Sequence, residues 1–512
     1  MQTGVGLCSL IYLLGQYVNF ATRGRQVRLN MGFSGGGMRF FLQIKILVLL
    51  VLITGCGALN KFADLDSSCG SGTPIAGAAN LSLFLNINRM GANTNVTLKI
   101  SSVELLVDDL WVPFSTNLSE VNSADIRYVQ KFLNREWLKG RICRGIRVKA
   151  TAGTTPRTGN TSSDLQVVNL DTELILQHPI DLEPDSRKVM FIEWNPGKSI
   201  SNTDQKEASL VAYSGSSSRI ATNLVYVACP EIDTIYVVRA DKFQVVDAFA
   251  VKGKPNYLSV DSDNKRIYVL SENLNKIIPF DIFTLTPGNE IIVSLANLPK
   301  FMMVKNSNQI AYVLDAQGVL TSIDLATGNM VNRNRIGNGP NYICYIPGFN
   351  KLAVSSTFDQ TVYFVNPDTL AIEDTIALTS PPLGLISWKN YLYIAEGQTN
   401  SVSIYDLSSR KILKNVHVGF APSRFISTSN SVYVSNSGDG TISIIQGEQF
   451  SVSKDVTIGK SAREMVVSEK QRLLFVGEGD CLGSLVVVDS TANQIIGRVE
   501  LGAKPVGIAV LD

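Results

Sequence analysis

The chain has 512 residues, 45% of them apolar and 18% charged, with 40 Gly and 18 Pro; such a composition folds, and at this length it supports roughly two to four domains. Lys and Arg number 46 against 44 Asp and Glu, and there are only two histidines, His178 and His417, so no basic field points to nucleic acid and a His-rich zinc site or His-based triad has almost no raw material. Seven cysteines occur (Cys8, Cys56, Cys69, Cys143, Cys229, Cys344, Cys481) without a C-x-x-C pair, which disfavours thioredoxin-like redox chemistry and c-type haem attachment.

Residues 1–37 fit no plan of their own. A signal-like segment begins at Met38, directly after Gly35-Gly36-Gly37, so the expected start of translation is Met38, or alternatively Met31, with 1–37 an upstream extension in which Cys8 carries no structural meaning. In 38–55, Arg39 and Lys45 form a short basic region and 46–54 an apolar run, too short for a resident span of about 20 residues. It ends in Ile53-Thr54-Gly55-Cys56, which resembles the lipobox of bacterial lipoproteins. The resemblance implies a cleaved signal, lipidation of Cys56, a stable membrane anchor through several acyl chains and, with Gly57 after the cysteine, the outer membrane of a diderm cell envelope. Residues 56–79 then read as a tether of small and polar residues.

From 80 to 205 short β-like runs follow one another: 81–85, 96–100, 146–149, 174–176 and 189–192. A helical stretch is expected around 125–138. The pattern predicts a β-sandwich with one side exposed to water. The phrases VTLKISSVELLVDDLWVPFS, LKGRICRGIRVKA, LILQHPIDL and KVMFIEWNPGKSI resemble an uncharacterised domain family of bacterial lipoproteins. The likeness covers 81–200 and implies a transthyretin-like sandwich with a carbohydrate-binding role. Trp111, Trp137 and Trp194 suit either stacking on sugar rings or sandwich packing.

Residues 206–512 are periodic. Pro255, Pro299, Pro340, Pro382, Pro422 and Pro505, with Ala462 in the one missing place, recur every 40 to 44 residues. About a dozen residues beyond each comes an apolar triplet such as Ile267-Tyr268-Val269 or Leu392-Tyr393-Ile394, and an earlier copy, Val225-Tyr226-Val227, has no proline before it. A third strand ending in Asp or Asn and a fourth strand complete each unit. Four short strands per unit predict an all-β seven-bladed propeller. Strand 506–510 is left over at the end and is expected to complete blade 1, so that the ring has no free edge. Phrases such as GFAPSRFISTSNSVYVSNSGDGTISII resemble the YVTN-repeat, lactonase-like propellers over 224–512. That family includes surface and periplasmic binding proteins, sugar-lactone hydrolases and portions of redox enzymes, so the likeness implies a scaffold more than an activity.

On the propeller face, the loops between second and third strands carry Glu231 and Asp233, Glu272, Asp315, Asp359, Glu396, Asp439, then Glu478 and Asp480. Converging, they would hold a hard cation such as Ca²⁺ through oxygen ligands and polarise a lactone carbonyl; apart, they are acids of exposed hairpin turns, as Asp439-Gly440 suggests. Two residues after each repeat proline stand Tyr257, Phe301, Tyr342, Gly384, Arg424, Glu464 and Gly507, a ligand platform or inter-blade packing. Cys229 and Cys481 fall in loops that ring closure makes neighbours, so a disulfide stapling the seam is expected; Cys344 reads as a buried thiol, and Cys69 with Cys143 as a further pair. The leading expectation is a non-enzymatic, lipid-anchored envelope protein whose propeller binds a protein or glycan partner. The alternative is a metal-dependent, lactonase-like hydrolase, and a third reading is a purely structural envelope protein.

Overall fold

The computed structural model describes residues 75–88, 96–123, 130–154, 167–199, 209–215, 223–305, 309–479 and 482–511. The lipobox with Cys56, together with Cys69, Asp480 and Cys481, lies outside them. Almost every described element is a strand.

Two sheets form the N-terminal sandwich. One has the order Leu210–Ser214, Arg187–Trp194, Ala79–Ile87, Gln130–Leu138; the other has six strands built around Val96–Val107 and Ile142–Thr154. Leu81, Leu83 and Leu85 face Val103, Leu105, Ile146 and Val148 across a common core. The opposite face of the four-stranded sheet is not wet. Phe84, Val189 and Phe191 pack with Val225, Tyr236, Val238, Phe475 and Val487 of the propeller, and all nine residues of Ala79–Ile87 are buried. The expected water-exposed side belongs to the six-stranded sheet alone, where Thr172–Asp181 has mostly exposed residues.

The expected helix is corrected. Residues 130–138 form a strand antiparallel to Ala79–Ile87, with a bulge between Leu83 and Phe84. Leu133 enters the sandwich core while Phe132 packs against the propeller. With both faces covered and the register broken by a bulge, period-2 alternation disappears, and the residual spacing imitates a helix. The three tryptophans are also committed locally. Trp194 is fully buried and donates Nε1–H to Ser199 Oγ at 2.8 Å. The Arg147 and Arg187 guanidinium groups lie 4.1 and 4.8 Å from the ring centroids of Trp111 and Trp137.

Seven four-stranded antiparallel sheets make the propeller, as the repeat predicts. The inner strands of blades 2 to 7 are Pro255–Asp261, Pro299–Lys305, Pro340–Ile346, Pro382–Trp388, Pro422–Ser427 and Ala462–Ser468. Gly507–Leu511 is the inner strand of blade 1 and pairs with Leu224–Cys229, placing Val510 opposite Val225 and Ile508 opposite Val227. Closure therefore uses the leftover strand, shifted one residue from the expected 506–510. Neighbouring inner strands touch around the whole ring.

The central residues of the triplets explain the repeat. Tyr226, Tyr312, Tyr393 and Phe475 are among the largest fully buried side chains. The hydroxyls of Tyr312, Tyr393 and Tyr433 donate to Pro367 O at 3.1 Å, Gly447 O at 2.9 Å and Ser490 O at 3.0 Å. Each acceptor lies in the turn between third and fourth strands of the next blade, so the tyrosine fills the space between blades and satisfies a carbonyl there. The acids that end the third strands fold those turns: Asp324 accepts from the N–H groups of Ala326 and Thr327, Asp406 from Ser408 and Ser409, and Asp489 from Thr491 and Ala492. These are Asx turns.

Candidate ligand site at the channel mouth

In blades 2 to 6 the repeat proline is the first residue of the inner strand, at the mouth of the channel, where the lack of an N–H is tolerated. A bulge follows immediately: the register slips between Pro255 and Tyr257, Pro299 and Phe301, Pro340 and Tyr342, and Pro422 and Arg424. The bulge leaves the residue after the proline outside the ladder and re-aims its neighbour. All seven blades thereby contribute to one cavity of about 440 Å³, lined by Tyr257, Lys300, Phe301, Arg424, Arg463 and Glu464 among others, within the roughly 300–1,000 Å³ usual for small-molecule sites.

The five expected platform residues come together. Tyr257 and Phe301 have ring centroids 4.4 Å apart, and Phe301 and Tyr342 4.2 Å apart, both pairs tilted. The Arg424 guanidinium stands 5.0 Å from the Tyr342 centroid, and its Nε donates to Glu464 Oε2 at 3.3 Å. The three rings pack blade to blade, and Tyr257 and Phe301 also line the cavity. Burial raises the pKa of Tyr257 and Tyr342, helped by the Glu464 charge, so both hydroxyls remain protonated at neutral pH. Burial also raises Glu464, against the opposing pull of Arg424.

The glycines at the same repeat position are not vacant room for a ligand. A Cβ on Gly384 would lie 2.2 Å from Ser423 O, and one on Gly507 3.0 Å from Asn256 O. Glycine there lets adjacent inner strands close on each other.

The residues of the mouth one position earlier in the repeat were missed, among them three that carry polar chemistry into the cavity. Asn256, Lys300 and Arg463 each directly follow the proline or its Ala462 substitute, so the bulge at that column was the signal to follow. Asn256 is 8% exposed; its Nδ2 donates to Glu272 Oε2 at 3.1 Å and to Pro299 O at 3.2 Å, while its Oδ1 is buried without a partner. Arg463 Nε is likewise buried without a partner. Burial and the nearby Arg424 charge both depress the Arg463 guanidinium, opposed by Glu231.

The acids expected to cradle a cation do otherwise. Among the described residues no three His, Cys, Asp or Glu side chains come together. Instead, four of them cap the loop leading into the inner strand of their own blade: Asp315 accepts from Asn297 N–H at 3.1 Å, Asp359 from Asn338 N–H at 2.7 Å, Asp439 from Phe420 N–H at 2.7 Å and Glu478 from Lys460 N–H at 3.2 Å. Glu478 also pairs with Arg498, Glu272 with Lys300, and Glu396 accepts from Ser403 Oγ. The physical reason is local: an approach loop presents backbone N–H groups that need acceptors, and the nearest carboxylate supplies them.

Cys143, Cys229 and Cys344 are free thiols. Cys229, expected to pair with Cys481, is fully buried, and burial pushes its thiol up to about 12. Cys344 Sγ accepts from Ser387 N–H at 3.1 Å. A larger crevice of about 680 Å³ lies between the sandwich and blades 1 and 2; Lys252 pairs with Asp185 there at 2.8 Å and Lys188 with Glu183 at 3.9 Å.

No family profile and no curated protein matches the sequence. Among solved structures, a functionally unknown protein from Desulfotomaculum acetoxidans aligns with a TM-score of 0.50 and 15% identity, covering 56% of this chain and 99% of that one. Dihydro-heme d1 dehydrogenase NirN in complex with DHE aligns at 0.46 and 16% over 58% of this chain and 76% of that one, and apo AztD from Citrobacter koseri at 0.45 and 12% over 56% and 97%. At such identities the likeness to the Desulfotomaculum protein is one of fold alone: the chain is an all-β propeller protein.

Proposed function

We propose that this chain is a lipid-anchored binding module of the cell envelope, tethered through Cys56, whose propeller holds a small ligand or one protruding group of a protein or glycan partner at the channel mouth. One observation supports the binding reading above the others: every blade sends residues to a single cavity in which an Asn acceptor and an Arg donor are buried without partners. Buried polar atoms are costly when unpaired, at about 1–3 kcal/mol each, and these two belong to side chains that line the same cavity. The cavity admits a sugar-sized or amino-acid-sized group. The carboxylates that a metal-dependent hydrolase would need are engaged with their own loops and side chains.

The test is fluorescence-monitored melting of the full chain against a panel of saccharides, short peptides, organic acids and gluconolactone. A bound compound at about 100 times its dissociation constant adds roughly 2.7 kcal/mol of stability. The expected result is a shift that disappears in Asn341→Trp, which fills the cavity from its wall, and persists in Glu183→Gln, a change in the other crevice. Turnover of the lactone, or shifts indifferent to filling the cavity, would overturn the reading. For the anchor, labelling with radioactive palmitate in a diderm host should be lost in Cys56→Ser; equal labelling of both proteins would exclude Cys56 as the lipidation site.

A further inference from the structure

We infer that the channel mouth selects a monoanionic carboxylate that also carries a hydroxyl group, held by Arg463 and Asn256. The inference rests on the reading of the channel as a binding site and adds the chemistry of the ligand.

Charge is the first argument. The cavity is lined by the cations Lys300, Arg424 and Arg463 and the anions Glu272 and Glu464. Lys300 is paired with Glu272, and Arg424 with Glu464. Arg463 is left over: it makes no ion pair among the described residues, and its Nε is enclosed without an acceptor. Glu231, the acid that acts on it electrostatically, is an exposed residue of blade 1. A half-buried guanidinium offers a fork of donors matched to a carboxylate. One surplus positive charge is neutralised by one negative charge; a dianion such as phosphate would leave its second charge unmatched by any cation of the lining.

Asn256 supplies the second, independent argument. Three acceptors, Glu272 Oε2, Pro299 O and Lys300 O, surround its Nδ2, which fixes the amide orientation and leaves Oδ1 as an unmet acceptor in a side chain 8% exposed. The missing partner is a donor. A protonated amine would restore the surplus positive charge that the carboxylate removes, so a neutral hydroxyl fits better. Asn256 and Arg463 belong to blades 2 and 7, on either side of Val506 of the closing strand's approach, and the rings of Tyr257 and Phe301 give the carbon skeleton an apolar wall.

Isothermal titration of the full chain would use mandelate and glucuronate as hydroxy acids, phenylacetate as the acid without a hydroxyl, and mandelamide and glucose as the uncharged partners. The expected order is hydroxy acid above deoxy acid above neutral compound, with Arg463→Gln weakening every acid at least tenfold. Arg463→Lys should recover only part of that loss. Asn256→Ala should weaken the hydroxy acids about fivefold and leave phenylacetate unchanged. Melting of each variant without ligand verifies folding. Neutral compounds binding as tightly as their acids, or undiminished acid binding in Arg463→Gln, would overturn the inference while leaving a ligand-binding channel in place. If nothing in the set binds the wild type, the inference fails on its own, and the broader panel decides the binding reading separately.

Discussion

Glu396 ends the second strand of blade 5 at 4% exposure, with Ser403 Oγ donating to it and no cation paired with it among the described residues. Burial raises its pKa above the ordinary 4.5, against the smaller opposing effect of the Ser403 hydrogen bond. The folded state therefore holds this proton more tightly than the unfolded state does. The resulting stability is complete below the unfolded value and is lost as pH rises through the folded one. Glu396→Gln removes that titration. Melted in parallel from about pH 4 to pH 7.5, the variant should match the wild type at the acid end and gain on it progressively as pH climbs; parallel profiles would show that Glu396 titrates as a hydrated carboxylate. The same environment explains which site residues were legible. Tyr257, Phe301, Tyr342, Arg424 and Glu464 share one column of a repeat, and a repeat column maps to one height on the ring. The neighbouring column with Asn256 and Arg463 was hidden, because in an unbroken strand it would face away, and only the bulges bring it to the mouth. Acids in hairpin loops looked like metal ligands since sequence shows the loop they occupy and not the N–H groups beside them.

Between elements, the tyrosine ladder does what no single blade can do. Tyr393 is fully buried, and its hydroxyl satisfies Gly447 O in the next blade at 2.9 Å; burial raises its pKa well beyond neutrality, so it acts as a donor throughout the physiological range. Tyr393→Phe keeps the ring and removes only the donor, leaving a carbonyl unpaired at about 1–3 kcal/mol. Urea unfolding should show a lower midpoint at unchanged slope; an unchanged midpoint would mean that the blades are held by ring packing alone. The ladder accounts for the legibility of the propeller. Proline, an apolar triplet around a central, mostly aromatic residue and a terminal Asp each serve one local purpose: strand opening, inter-blade filling and an Asx turn. All three recur with the blade. The sandwich has no such repetition. Its Gln130–Leu138 strand is set by contacts on both faces with partners distant in sequence, among them Glu500, and no local window contains that information.

At the scale of the whole molecule, that same strand holds the seam of the ring. Arg135, 3% exposed, donates through Nη2 to Gly502 O at 2.9 Å and Leu501 O at 3.3 Å, and through Nε to Ser82 Oγ. Lys131 pairs with Glu500 at 2.5 Å, Phe132 N–H donates to the same carboxylate, and the Phe132 ring lies where a Cβ on Gly502 would be. Gln130 exchanges two hydrogen bonds with the Val245 backbone in blade 1. Leu501 and Gly502 belong to the segment between the last strand of blade 7 and the closing strand Gly507–Leu511, so the sandwich grips the very stretch whose release would open the propeller. Cys229 is buried beside that segment, with Sγ 4.0 Å from Ala503 O. Calorimetry of the described unit should therefore give one transition, sandwich and ring unfolding together. Arg135→Ala removes hydrogen bonds from a charged group, each contributing about 1.5–3 kcal/mol, and strands two buried carbonyls, so it should lower that transition by several kcal/mol at a site remote from the channel. Two transitions in the wild type, or an Arg135→Ala variant as stable as its parent, would mean that the ring closes on its own strand pairing and that the sandwich is only carried beside it.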